Sequence, residues 1–236
     1  LENSKLEIII ISLFPDFFNS FKTTALIKKA IDNNLLSIQT INPRDFSKPP
    51  HNKVDDTPYG GGSGMVLSPE PLSKSISRAK EKLPNAKVIF MSANGKQLNQ
   101  NFSKRTSRLN SLIIVCGRYE GIDQRVIDLY ADYEISIGDY VIMGGETASL
   151  VYIETIARHR KGVLGNEESI KEESFSYGLL EHPQYTKPQE FNGLKVPEVL
   201  LSGNHQEINR WRKEQSLLKT QKNRPDLTEP KLFEDE

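Results

Sequence analysis

Residues 6–14 read LEIIIISLF, and this run decides the fold. It is almost unbroken Ile and Leu, so a strand built from it has no polar face to give to water and must be covered on both sides. That is the pattern of a parallel sheet held between helices. Similar runs recur at 87–92 (KVIFMS), 111–117 (SLIIVCG) and 133–138 (YEISIG), each separated from the next by enough polar, amphipathic sequence for a helix or long loop. Strands alternating with helices predict an α/β fold with a parallel sheet.

Helix signals fall between these runs. Pro15 with Asp16 opens one helix, Ser68 with Pro69 opens a second running to about Leu83, and a third spans about 147–161. In the third, Leu150, Ile153, Ile156 and Ala157 share one face at helical spacing, as expected for packing on a sheet.

Three segments carrying glycine follow the predicted strands: Asn94 with Gly95, CGRYEGID (116–123), and ISIGDYVIMGGETA (135–148). Glycine weakens a strand unless the chain must bend there or something must come close. Ligands of open parallel sheets gather outside the carboxyl ends of the strands, so three such loops predict one pocket, although each taken singly reads equally as a tight turn. Neither G-x-G-x-x-G nor G-x-x-x-x-G-K-[ST] is present, which removes the dinucleotide and P-loop fingerprints. Tyr119, Tyr140, Ile137 and Ile142 suit an adenine ring held by apolar contacts and backbone hydrogen bonds, with Glu120 available to a ribose or an ammonium group.

Composition bounds the remaining choices. The 236 residues are 36% hydrophobic and 26% charged, which supports a folded core. Lys plus Arg and Asp plus Glu both number 31, so an argument for a polyanionic partner must rest on local charge. A single cysteine, Cys116, leaves no intrachain disulfide and no Cys-rich zinc site, and suits a reducing compartment. The four histidines show no metal-ligand spacing. No run approaches the roughly 20 apolar residues of a bilayer span, and residues 6–13 lack a basic leader and a small-residue cleavage site. The expectation is a cytoplasmic protein with no membrane partner and no residues assigned as metal ligands.

DDTPYGGGSGM (55–65) places two carboxylates before four glycines within five positions. Such bare backbone suits close approach to a planar or anionic ligand, and it equally suits a flexible surface loop. After Gly165 the texture becomes charged and poor in apolar residues, which predicts a mobile linker over 166–178. Beyond it Asn204 and Glu207 have capping-box spacing, and Ile208, Trp211 and Leu218 are expected on one face of the helix that follows. Arg210, Arg212, Lys213, Lys219, Lys222 and Arg224 stand there against Glu207 and Glu214, a basic surface that serves phosphate contact or simply solvation. The helix is expected to end near Arg224 and Pro225. The organisation predicted is a domain over 1–165, a linker over 166–178 and a small helical domain over 179–236.

SLFPDFF, DDTPYGGGSGM, VCGRYEGIDQRV, SIGDYVIMGGE, RHRKGVLGN, ESFSYGLLEHPQYTKP, VPEVLLSGNHQEINRWR and QSLLKTQKNRPDL, in this order over residues 13–227, closely resemble the bacterial tRNA (guanine-N1)-methyltransferases, the TrmD type of trefoil-knot (SPOUT) methyltransferases. The resemblance implies a parallel α/β sheet carrying a deep trefoil knot, with S-adenosylmethionine bent within it. Unaided topology rules, under which knots are essentially absent, point instead to an ordinary doubly wound sheet. Carried over residue by residue, the pattern implies cofactor contacts at Phe90, Met91, Gly117, Tyr119, Glu120, Gly121, Ser136, Ile137, Gly138, Tyr140, Ile142, Gly144, Gly145 and Ala148. Substrate contacts are implied at Asp55, Gly60, Gly61 and Gly62, with Arg210, Arg212, Lys213 and Lys219 offered to tRNA. Arg158 matches the catalytic arginine. Glu173 stands where the family has an aspartate as general base, and Glu172 fits that register less well. Ala148 and Ser63 replace usual prolines, and SANGK (92–96) replaces a Ser-Pro-x-Gly pattern.

The implied reaction is methyl transfer to N1 of the guanosine at position 37 of tRNA, 3′ of the anticodon. A carboxylate must take the N1 proton and a cation must stabilise charge developing at O6, the roles of Glu173 and Arg158. The resemblance also implies a homodimer whose active site is shared between subunits, and magnesium dependence has been associated with the family. The rival readings are an RNA-binding protein with impaired turnover and a knot methyltransferase with another RNA target.

Overall fold

The computed structural model describes residues 5–165 and 173–228. Residues 166–172, which hold Glu172 and most of the predicted linker, lie outside the described residues, as do 229–236. Contacts divide the chain after Gly165 into two compact units.

The first unit is built on five strands: β1 (Leu6–Ile11), β2 (Leu36–Ile41), then, after the short hairpin β3 (Asp55–Asp56) and β4 (Val66–Leu67), β5 (Lys87–Gln97), β6 (Ser111–Cys116) and β7 (Tyr133–Ser136). They form one sheet in the order β2-β1-β6-β5-β7, with every neighbouring pair parallel. Helices α1 (Asn19–Lys22), α2 (Ala25–Asp32), α3 (Pro69–Lys82), α4 (Gln100–Thr106), α5 (Gln124–Tyr130) and α6 (Gly145–Ala157) complete the layers.

The period-2 geometry of a strand explains the apolar run. Ile8 and Ile10 of β1, with Ile89, Leu112 and Ile114, pack against Ile27 of α2 and Tyr152, Ile153 and Ile156 of α6. Ile9 and Ile11, with Val88, Phe90, Ile113 and Val115, pack the other way against Leu72, Ile76 and Ala79 of α3 and Val126 of α5. Both faces are buried, so both must be apolar.

Boundaries differ from the sequence expectation in instructive places. Pro15 opens a 3-10 turn, Pro15–Phe18, before four residues of α-helix. Strand β2, LSIQTI, sits at the sheet edge with an alternating pattern and so forms no continuous apolar run. Strand β5 continues past Ser92 through an excursion: Met91 and Lys96 both lie opposite Ile135. A Cβ at Gly95 would stand 2.4 Å from the Ile135 nitrogen, so close backbone approach demands glycine there. Helix α6 begins at Gly145 and ends at Ala157, leaving Arg158 as its C-cap.

In the second unit, the hairpin β8 (Glu190–Phe191) and β9 (Leu194–Lys195) turns through Asn192 and Gly193, both at positive φ. Helices α7 (Glu198–Leu201) and α8 (His205–Asn223) follow. Asn204 caps α8, accepting from the backbone N–H groups of Gln206 and Glu207. The reciprocal half of a capping box is replaced: Ser202 Oγ takes the Asn204 N–H at 3.1 Å, and Glu207 pairs with Arg210. The packed face also departs from expectation, because Leu218 is 57% exposed. The stripe instead runs through Trp211, Ser216 and Thr220. Trp211 packs on His182 and Tyr185, the Thr220 hydroxyl accepts from the Leu180 N–H at 2.9 Å, and Ser216 donates to the Leu180 carbonyl. The preceding segment is thus docked on α8 by one of the predicted apolar residues, Trp211, together with two hydroxyls.

Candidate active site

The carboxyl ends of β5, β6 and β7 surround a cavity of about 490 Å³. Its wall comes from residues 90–94, from the β6 loop at 117–124, and from 134–145 with Ala148 at the start of α6. Each residue that the resemblance assigns to the cofactor, from Phe90 and Met91 through Gly145 and Ala148, lines this one cavity. Ser92, Arg118, Ile122, Gln124, Glu134 and Met143 line it as well and were not in that set.

Two glycines set its shape. The Gly145 N–H donates to the Gly117 carbonyl at 2.8 Å, and a Cβ at Gly145 would stand 2.8 Å from Cys116 Cα and 2.9 Å from the Gly117 nitrogen. Helix α6 can start against the end of β6 only because no side chain intervenes. Gly138, at φ +152°, turns the chain so that the Tyr140 ring covers it, and the Tyr140 hydroxyl donates to the Ile137 carbonyl at 3.2 Å. The Ser136 hydroxyl bridges the N–H and carbonyl of Gly138. Cys116 is buried beneath this wall beside Ser149; burial pushes its thiol pKa up, so it supplies no nucleophile.

Behind the wall lies a charge pair that sequence reasoning missed. Glu146 is 1% exposed. Its Oε1 accepts from the Ser12 hydroxyl at 2.6 Å, and its Oε2 lies 2.8 Å from Arg118 Nε. The latter is a charge contact without the alignment of a good hydrogen bond. Arg118 also donates to the Met143 carbonyl at 3.2 Å and sits over the Phe14 ring, 4.5 Å from its centre. The available signal was a carboxylate, Glu146, directly after a glycine pair and in the first turn of a helix.

The glycine-rich segment is anchored on the same wall. The Leu67 N–H donates to the Gly121 carbonyl, the Asp123 N–H to the Leu67 carbonyl and the Glu120 N–H to the Met65 carbonyl, at 2.9 to 3.1 Å. A Cβ at Gly64 would strike the Glu120 carboxylate at 2.5 Å. Gly60, Gly61 and Gly62 form an open crest at positive φ, beside an almost fully exposed Tyr59. Asp55 lies half-buried in β3 below that crest. The fixed ends weaken the flexible-loop reading for the stem and leave it open for the crest.

Arg158 is half-buried at the C-terminus of α6, and its N–H donates to the Glu154 carbonyl. Glu173 opens the described part of the second unit, half-buried, with its carbonyl accepting from the Ser176 N–H at 3.1 Å. On α8, Arg210 and Lys213 are exposed while Arg212 and Lys219 are half-buried. Glu207 and, at 3.9 Å, Glu214 pair with Arg210, so the basic stripe is partly neutralised. Among the described residues no three His, Cys, Asp or Glu side chains converge to hold a metal, and no helix is long and apolar enough to cross a membrane.

The family described as tRNA (Guanine-1)-methyltransferase TrmD matches residues 6–230. A tRNA (guanine-N(1)-)-methyltransferase of Malacoplasma penetrans is 51% identical over 222 residues, covering 94% of this chain and 96% of that protein. The same-named protein of Clostridium perfringens is 51% identical over 224 residues (95% and 94%), and that of Dictyoglomus turgidum 47% (95% and 90%). Identity of this order, over almost the whole chain and both units, means that the chain belongs to the TrmD family of tRNA (guanine-1)-methyltransferases.

Proposed function

We propose that this protein methylates N1 of the guanosine at position 37 of tRNA, using S-adenosylmethionine. The observation that carries the reading is the cavity assembled from three glycine-bearing strand-end loops in a chain of this family. The residues suit the cofactor. A cavity of about 490 Å³ is of small-molecule size, Met91, Ile137, Ile142 and Ala148 offer apolar surface for a purine, and the glycines leave backbone N–H and carbonyl groups within reach. When bound, the cofactor's sulfonium supplies an already activated methyl group.

The protein's own part is proton removal, charge stabilisation and positioning. Guanine N1 carries a proton and is a poor nucleophile until it leaves. Glu173 is assigned to take that proton and Arg158 to stabilise negative charge at O6. Glutamate is one methylene longer than the family's aspartate, so the segment bearing it must sit slightly farther back. Asp55 and the crest at Gly60, Gly61 and Gly62 are assigned to the neighbouring base, and Arg210, Arg212, Lys213 and Lys219 to tRNA phosphates.

The active site is assigned to a homodimer, with the second unit of one subunit serving the cavity of the other. Val141 and Met143, 88% and 91% exposed at the cavity rim, support a covered surface there. The setting is the cytoplasm, where the tRNA is.

Transfer of labelled methyl to an unmodified tRNA transcript, with and without magnesium, tests the reading. The expected product is 1-methylguanosine, absent when guanosine 37 is replaced. Tight tRNA and cofactor binding without transfer would reject it and leave an RNA-binding protein, with Glu173 as the first suspect.

A further inference from the structure

We infer that Glu146 is a positioning residue for cofactor binding: through Arg118 it holds the loops after β6 and β7 in the shape that the cavity needs. This rests on the reading of the cavity as the cofactor site. A carboxylate that is 1% exposed requires compensation, and Glu146 draws it from three sources. It sits in the first turn of α6, where helix N–H groups favour negative charge. Ser12 donates to one oxygen and Arg118 stands against the other.

Arg118 then spends its remaining surface on the loops. It reaches the Met143 carbonyl, its backbone bridges to Gly144, and its guanidinium sits over the ring of Phe14, shortly after β1. Of these groups only Arg118, Met143 and Gly144 line the cavity; Ser12, Phe14 and Glu146 stand outside it. The rim segment 139–144 has little apolar anchorage of its own, since Val141 and Met143 are almost fully exposed. A core of branched aliphatics cannot hold it, and the guanidinium does. Ser12 and Glu146 are 134 residues apart in sequence, so the network ties the strand that opens the chain to a wall it does not itself form.

The test uses the full-length protein with E146Q, which keeps side-chain shape and removes the charge. The readouts are the dissociation constant of S-adenosylmethionine by calorimetry and amide hydrogen exchange resolved by segment. The expected result is a roughly tenfold weaker cofactor affinity, the low end of what loss of a supporting partner does at metal sites. Faster exchange confined to 139–144 should accompany it, with β1 and β6 unchanged. S12A, which deletes one hydrogen bond to Glu146, should move both readouts the same way by less, and it carries the test if E146Q does not fold.

Wild-type affinity with wild-type loop exchange in a folded variant overturns the inference. So does weaker binding with exchange raised throughout the sheet, the mark of lost stability alone. If the wild-type protein does not bind the cofactor, the reading of the cavity fails. The exchange pattern then still decides whether Glu146 holds the loop.

Discussion

Replacing Gly145 by alanine isolates the role of close backbone approach at the site. The added Cβ would lie 2.8 Å from Cys116 Cα and 2.9 Å from the Gly117 nitrogen, and both obstacles are backbone of β6 and its loop. Overpacking of this kind costs about 1–3 kcal/mol. Alanine recovers up to about 1 kcal/mol over glycine inside a helix, but Gly145 is the first residue of α6 and its N–H is bonded to Gly117, so little of that gain applies. The net loss is about 1–3 kcal/mol. At roughly 2–4 °C per kcal/mol for a chain of this size, Tm falls by about 2–12 °C. Because Gly117 and Gly145 both line the cavity, cofactor affinity falls with it. Gly165→Ala is the control, since its Cβ meets nothing within 4 Å and no positive φ is involved; it should lie within about 0.5 kcal/mol of wild type. Thermal denaturation and calorimetric titration of the two variants decide the matter. A Gly145→Ala protein with wild-type Tm and wild-type cofactor affinity would refute the claim that this contact fixes the wall.

Three further outcomes are expected. Glu173→Ala should lower single-turnover methyl transfer by about two to four orders of magnitude with tRNA affinity retained, while Glu173→Asp restores the family's base and keeps activity; full turnover by the alanine variant removes the base assignment. At Asp132, burial raises the carboxyl pKa, but the Lys87 ammonium at 2.7 Å and the Val88 N–H at 2.8 Å outweigh it and hold it below the usual carboxylate value. A depressed folded pKa stabilises the protein above the unfolded value near 4 and is lost as pH falls through the folded value. The Tm difference between wild type and Asp132→Asn should therefore shrink between about pH 5 and 2, and a difference constant with pH would exclude the linkage. Lys213→Ala should weaken tRNA binding and reduce the slope of log affinity against log salt by about one, measured by filter binding; an unchanged slope means that Lys213 meets no phosphate.

Much of the architecture was legible because burial on both faces leaves a simple trace. Ile8, Ile9, Ile10 and Ile11 are all inside, two toward each layer of helices, and no other common arrangement asks for that. Strand β2 escaped notice because an edge strand keeps one polar side, and LSIQTI reads as ordinary amphipathic sequence. The strand-end loops could be grouped into one pocket from position alone, and they do line one cavity. The reasons for particular glycines could not be read there. Gly95 and Gly145 are required by backbone atoms of Glu134, Ile135, Cys116 and Gly117, which sequence does not place beside them. On α8 the apolar positions were a partial guide: Trp211 packs as expected, but Leu218 is exposed while Ser216 and Thr220 make the hydrogen bonds that anchor the preceding segment.

The same physics explains why the supporting network is polar. Loops beyond the end of a parallel sheet have left the region where strand side chains alternate into two apolar layers, and the glycines that open the cavity remove still more contact area. Apolar residues placed there would fill the space meant for a ligand. Hydrogen bonds and a charge pair hold backbone without occupying it: Gly145 to Gly117, Ser136 to Gly138, and Arg118 to Met143 each spend only a few atoms. The cost is a carboxylate removed from water, which is tolerable only while Ser12, Arg118 and the start of α6 all face it. Stability of the sheet and shape of the cavity are thus held by different residues, the first by branched aliphatics and the second by a few polar atoms at the strand ends.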